Sequence, residues 1–173
     1  MLKKLWQSLA NALRPTPLGS TFVGQVVGVV DGDTLDVRVG WRCIRVRLAG
    51  IDAPEARQRF GMESSRHLAA LAYGRSAVVE QCGRDRFGRM LARVVIEDRD
   101  VSVAQLEAGM AWHVPAFSRS ALPRHAPVYG RAAGAARAAS RGLWGDPQQQ
   151  HPAQFRHQVR KAQANRGQME LFR

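Results

Sequence analysis

Two periodicities divide this chain. In 22–30, 35–39 and 44–48 apolar residues recur at every second position, the signature of half-buried β-strands. Asp31-Gly32 and Gly40-Trp41 punctuate them as turns. The period then lengthens. In 60–73 Met62, His67, Leu68, Leu71 and Ala72 share one side of a predicted helix, which Gly74 ends. Alternation returns in 77–81 and 91–97, two strands joined through 83–88. A short helix over 101–108 closes at Gly109. Beyond Pro115, Pro123 and Pro127, the alanine-rich segment 128–140 forms a further helix that stops at Gly142. From Gln148 a glutamine- and arginine-rich tail follows, expected to be loosely ordered apart from a helix around 155–165. At the other end, Leu2, Leu5, Trp6, Leu9 and Leu13 line one stripe of a short amphipathic helix, and Pro15 to Ser20 reads as a linker.

These elements divide the chain into an N-terminal amphipathic segment and linker (1–20), a folded domain (21–146) and a basic, glutamine-rich tail (147–173). Three meandering strands, a helix and two more strands are the element count of a mainly β protein: a five-stranded OB-type β-barrel with two to three packing helices. Such barrels commonly bind nucleic acid on one face, although a fold alone assigns no function.

Charge narrows the choice of partner. With 26 Lys+Arg against 14 Asp+Glu, the 173 residues carry a formal +12, which points to an anionic partner and to nucleic acid before membrane. Only Lys3, Lys4 and Lys161 are lysines. Arginine suits two-pronged phosphate contacts, but genome base composition accounts for the preference equally well. Cys43 and Cys82 make neither a metal spacing nor a disulfide framework, and two free, buried thiols are the expectation. No run approaches the 18 or so apolar residues of a membrane span. Lys3 and Lys4 begin like a secretory signal, yet Gln7, Ser8 and Asn11 interrupt its apolar core. Two locations stay open: cytoplasmic or membrane-surface if residues 1–20 are kept, with 1–14 as the contact, and secreted or periplasmic if they are removed.

The chemistry is concentrated in a few acids and arginines. In the stretch VVDGDTL, Asp31-Gly32 is sufficient for a hairpin turn, since glycine accepts the positive φ of tight turns. Asp33 is then surplus. It shares parity with Leu35, Val37 and Val39, so its carboxylate starts from the core-facing side of strand two. Asp52 shares parity with Ile44, Val46 and Leu48, provided no bulge intervenes near Gly50. Arg45 and Arg47 face the other way, and Arg45 is assigned to a solvated face. Two inward carboxylates repel and are costly to desolvate. A hard divalent cation, Ca²⁺ or Mg²⁺, would relieve both effects. An EF-hand is excluded, because its register requires a glutamate near position 42, where Arg42 sits. Asp85-Arg86-Phe87-Gly88-Arg89 forms a charged hairpin turn. The five histidines form no ligand pattern.

The motifs VVDGDTLDV, IRVRLAGIDAPE, FGMESS, DRFGRMLARV, LEAGMAW and SRGLWGDP, in that order, resemble the thermonuclease (staphylococcal nuclease-like) family over roughly residues 21–146. The resemblance implies an OB-type barrel and a Ca²⁺-dependent nuclease acting on DNA and RNA, with calcium rather than magnesium as the cofactor. By the same token Asp33 and Asp52 match the family's metal carboxylates, helped by the backbone carbonyl of Ala53. Glu55 matches the proposed general base, and Arg47 and Arg89 the phosphate-gripping arginines. The family's products imply cleavage that leaves 3′-phosphate ends. Two departures stand out: Ala53 replaces a threonine, and the family's stacking tyrosines have no clean counterpart. Phe117 and Trp112 read as core; Arg86 and Phe87, beside Arg89, are the candidate substrate contacts. A monomer favouring single-stranded or frayed substrate is expected. The rival reading is a catalytically silent OB module that only binds nucleic acid.

Overall fold

The computed structural model describes residues 19–85, 87–117 and 122–170, without the side chains of 166–170. The predicted N-terminal helix over 1–14 and Arg86 lie outside the described residues. Five strands make the barrel: β1 (Thr21–Asp31), β2 (Thr34–Val39), β3 (Arg42–Leu48), β5 (Ser76–Arg84) and β6 (Met90–Ile96). Their order is β3-β2-β1-β5-β6, and a parallel β3–β6 pairing closes the circle at Val46↔Met90, Arg47↔Leu91 and Leu48↔Ala92. The five-stranded OB-type barrel expected from the hydrophobic pattern is therefore the observed architecture. Because the chain alternates, Val26, Leu35, Val37, Val46, Val79 and Val94 point inward, and all are fully buried.

Three short strands leave no mark in the hydrophobic pattern. β4 (Ile51–Asp52) pairs with β8 (Trp112–His113), and β7 (Arg99–Asp100) extends β6. Two residues are too few for a visible alternation. Among the described residues, helices α1 (Gly61–Ala72), α2 (Val101–Glu107) and α3 (Ala126–Ala138) pack on the barrel, burying Leu68, Leu106 and Tyr129. Asp100 caps α2 through the Ser102 and Val103 amides, and its carboxylate also takes Arg93 (2.7 Å) and the Tyr129 hydroxyl (3.0 Å). That network ties both helices to β6. A 3₁₀ turn (Gly142–Gly145) then leads to α4 (Pro152–Glu170).

Three expectations need correction. The tail helix is longer than the 155–165 expected: α4 runs for 19 residues, and the contacts at its start are with residues distant in sequence, which local composition could not show. Cys43 and Cys82 are free as expected, but Cys43 is exposed and Cys82 half-buried, because both lie on outward-facing strand positions. The first hairpin turns through Gly32-Asp33, with Asp31 paired to Thr34, rather than through Asp31-Gly32. Asp31 Oδ1 instead accepts the Asp33 amide (3.0 Å), which shapes the turn.

Gly32 is also present for a different reason than the one its motif suggests. Its backbone is outside the left-handed region, whereas a Cβ there would stand 1.9 Å from Ser64 Oγ and 2.7 Å from Ala53 Cβ. Close approach, not turn geometry, demands glycine. Gln105, fully buried on α2, donates to the Gly32 carbonyl (2.6 Å) and locks the turn against α1 and α2. Gly32→Ala is therefore expected to cost about 1–3 kcal/mol in urea unfolding, as an overpacked core does. Gly83→Ala, with nothing within 4 Å of the new methyl, should stay within about 0.5 kcal/mol.

Candidate active site

The hairpin turn places Asp33 against the segment that follows β3. Asp33 is 2% exposed and Asp52 5%, so the two acids do converge as buried carboxylates. The route for Asp52 differs from simple alternation. β3 ends at Leu48, Gly50 turns the chain with φ +79°, and Asp52 is delivered by β4, paired with Trp112. Asp33 Oδ2 accepts the Ala53 amide (2.9 Å), and Oδ1 accepts the Thr34 hydroxyl (3.0 Å). The described contact at Ala53 is thus made by its N–H.

Arg47 joins the pair. It lies opposite Thr34 across β2–β3. Nη1 donates to Asp33 Oδ1 at 2.6 Å and Nη2 to Asp52 Oδ1 at 2.7 Å. Its side chain is 18% exposed. Even with this partner, burial pushes the Asp33 carboxyl up to about 7, with Arg47 opposing and Asp31 adding to the rise. The Arg47 guanidinium is itself held above its ordinary value by Asp33 and Asp52, against the desolvation that works to lower it.

Arg45, two residues away, behaves as expected of a solvated face. It makes a two-pronged pair with Asp36 (2.9 and 3.0 Å), and its side chain is 55% exposed.

Glu55 follows Asp52 by three residues. Its amide donates to Gln58 Oε1 (3.1 Å), and the start of α1 presses on it: a Cβ at Gly61 would stand 2.0 Å from the Glu55 carbonyl oxygen. The motif FGMESS therefore opens a helix that touches the acidic loop. The Glu55 side chain is 39% exposed.

Arg89 stands at the entrance to β6, whose Met90 and Leu91 pair with Val46 and Arg47. It does not contact the carboxylates. Asp85 holds it, by Nε–Oδ2 at 2.6 Å and through its amide at 2.9 Å, and its guanidinium lies 5.5 Å from the Phe87 ring. Phe87 is 69% exposed. Trp112 is 7% exposed and packs edge-on against Trp144 and His151, so it is core, whereas Phe117, also read as core, is 55% exposed.

One participant has no sequence signature. Arg156 of α4 reaches both remaining acids: Nη2 meets Asp52 Oδ2 at 2.8 Å, and Nη1 meets Asp52 Oδ1 at 3.2 Å and Glu55 Oε1 at 2.6 Å. Two guanidiniums thus face three carboxylates. Nothing marks Arg156 among the tail arginines, and 104 positions separate it from Asp52. Among the described residues no three His, Cys, Asp or Glu side chains converge as a metal cage; arginines hold the acids instead. The donor set nevertheless suits a hard divalent cation: two buried carboxylates that share Arg47, with a third carboxylate three residues further along the chain. A separate cleft of about 610 Å³ between α1, α2 and α3 is lined by His67, Arg99, Glu107, Arg131 and Arg141 and by none of the acids or arginines of the candidate site.

Comparison with known proteins says to which family this barrel and its bridged aspartates belong. Residues 45–146 match the family of staphylococcal nuclease homologues, and the chain belongs to it. It is 35% identical over 160 residues to Protein ParB of Escherichia coli, covering 87% of this chain and 88% of that protein. Over 155 residues it is 36% identical to a micrococcal nuclease of Shigella flexneri, covering 84% and 87%. An uncharacterized endonuclease of Haemophilus influenzae shares 38% over 135 residues, covering 78% and 72%.

The two arginines of β3 give a direct check. In EDTA, Arg47→Met leaves two buried carboxylates without this partner and should lower stability by about 3–5 kcal/mol. Arg45→Met should change it by less than about 1 kcal/mol. Urea titrations of both variants against the parent measure the contrast.

Proposed function

We propose that this chain is a divalent-cation-dependent nuclease that hydrolyses DNA and RNA with little base preference and leaves 3′-phosphate ends. The observation that carries the reading is the Asp33–Arg47–Asp52 bridge, with Glu55 three residues further on, in a member of a nuclease family. A phosphodiester already bears negative charge and gathers more in the transition state, so catalysis rests on positioning and on charge stabilisation.

Asp33 and Asp52, with the Ala53 carbonyl, would hold the cation, calcium ahead of magnesium. A bound ion would supply positive charge to the phosphate and to the attacking water. Glu55 takes the proton of that water. Arg47 spends two N–H groups on the carboxylates and keeps three of its five for phosphate oxygens. Arg89 grips the phosphate from the adjacent strand entrance, where Asp85 now keeps its planar fork oriented. Arg86 and Phe87 contact the substrate beside it, and an aromatic face accepts any base. Contacts made to phosphate and ring faces carry no sequence code. A single strand or frayed end, with its backbone free to enter, is the preferred substrate of a monomeric enzyme.

A module that only binds nucleic acid gains nothing from three carboxylates, which repel its ligand. The two readings separate in one assay. With single-stranded DNA, the protein should cleave in Ca²⁺ and stop in EDTA, and end-labelled fragments should carry 3′-phosphates. Binding without cleavage in any divalent metal would sink the enzyme reading. Removing one phosphate donor by Arg89→Ala should slow turnover by about 10²–10³-fold, while Arg45→Ala should stay within about twofold of the parent.

A further inference from the structure

The contact least explained by the proposed chemistry is the one made by Arg156. It occupies both oxygens of Asp52 and one of Glu55, the very groups that a cation and its water would need.

The tail is built to bring it there. Asp146 pairs with Arg59 at 2.7 Å, Gln58 Nε2 donates to the Gln150 carbonyl, and the His151 ring lies edge-on to Trp112 at 5.5 Å. Trp112 is the strand partner of Asp52, and Gln58 also holds the Glu55 amide. Residues 146–151 are thus fastened to the segment that carries Glu55 and to the strand that pairs with the one carrying Asp52. Beyond them, α4 has little to hold it. Pro152 is buried and Phe155 and Arg156 half-buried, but residues 157–165 are exposed. A helix attached by its first turn and one ion-pair cluster is a unit of low local stability.

Charge decides what happens when another cation arrives. Three carboxylates balance one dication plus the Arg47 guanidinium. Retaining Arg156 as well would leave an excess positive charge and set a guanidinium against a dication over shared oxygens, with the Coulomb cost that close like charges carry. We propose that α4 is a cation-displaced latch: Arg156 occupies the Asp52–Glu55 oxygens until a divalent cation expels it, and the helix then leaves the mouth of the site. Arg156 in this way sets the metal concentration at which the site loads. The latch rests on the reading of this site as one that binds a divalent cation.

The full-length protein tests it, with Arg156→Gln and, as a control for general charge, Arg160→Gln on the exposed part of the same helix. Calorimetric titration with CaCl₂ at one fixed ionic strength should show Arg156→Gln binding Ca²⁺ at least tenfold more tightly than the parent, and Arg160→Gln within about twofold. In the parent, amide hydrogen exchange over 153–165 should accelerate when Ca²⁺ replaces EDTA. Calcium binding with equal affinity in parent and Arg156→Gln overturns the latch alone. So does equal tightening by Arg160→Gln, or a helix that keeps its protection in the loaded protein. No Ca²⁺ binding by any of the three overturns the metal reading and the latch together.

Discussion

Negative charge that has been taken out of water must be answered by positive charge, and at one end of this barrel that requirement organises everything nearby. Asp33 and Asp52 are almost wholly buried, and Arg47 bridges them through separate nitrogens. A buried ion pair of this sort is weak evidence for stability, because desolvation offsets most of the attraction. Its value is as a poised electrostatic centre. The Asp33 carboxyl is pushed up to about 7 because its removal from water outweighs the attraction of Arg47. Arg156 adds a second guanidinium, to Asp52 and Glu55, from a helix about a hundred positions later in the sequence.

The scaffold answers a narrower demand, which is to bring distant acids together without leaving backbone groups unpaired. Asp33 comes from a hairpin turn locked by Gln105, Asp52 from a two-residue strand, and Glu55 from a loop on which the start of α1 presses. Two glycines make this density possible by absence. Neither Gly32 nor Gly61 needs a left-handed backbone; each lies where a methyl would collide with a neighbour that carries the site. Positioning, which phosphoryl chemistry depends on most, is here a packing property.

Much of this arrangement is legible in the amino-acid sequence. Alternation along 22–30, 35–39 and 44–48 is enough to set the strands, and the surplus acid in VVDGDTL is enough to draw notice to Asp33. Parity leads to a buried carboxylate at Asp52 although the strand it assumes stops at Leu48, because β4 restores the inward direction after the Gly50 turn. Gly32 misleads for a physical reason: a turn motif reports local backbone needs and is blind to Ser64 and Ala53 packing from elsewhere. Arg156 is invisible on the same ground. Its partners lie about a hundred positions away, and a polar helix in a glutamine-rich tail has no apolar stripe to announce where it docks.

The parallel β3–β6 pairing has a consequence for when this chemistry comes into being. Asp33 and Arg47 are neighbours within a local hairpin, so they meet early in any folding sequence. Arg47 and the entrance occupied by Arg89 are brought side by side only when strands more than forty positions apart zip together, and Asp52 is seated only when β4 finds β8. Such distant pairings carry the larger loop-closure cost and form late. A half-folded chain therefore holds the Asp33–Arg47 pair without the rest of the centre. For a protein of this family, made in the presence of nucleic acid, the topology itself postpones reactivity until the barrel is shut.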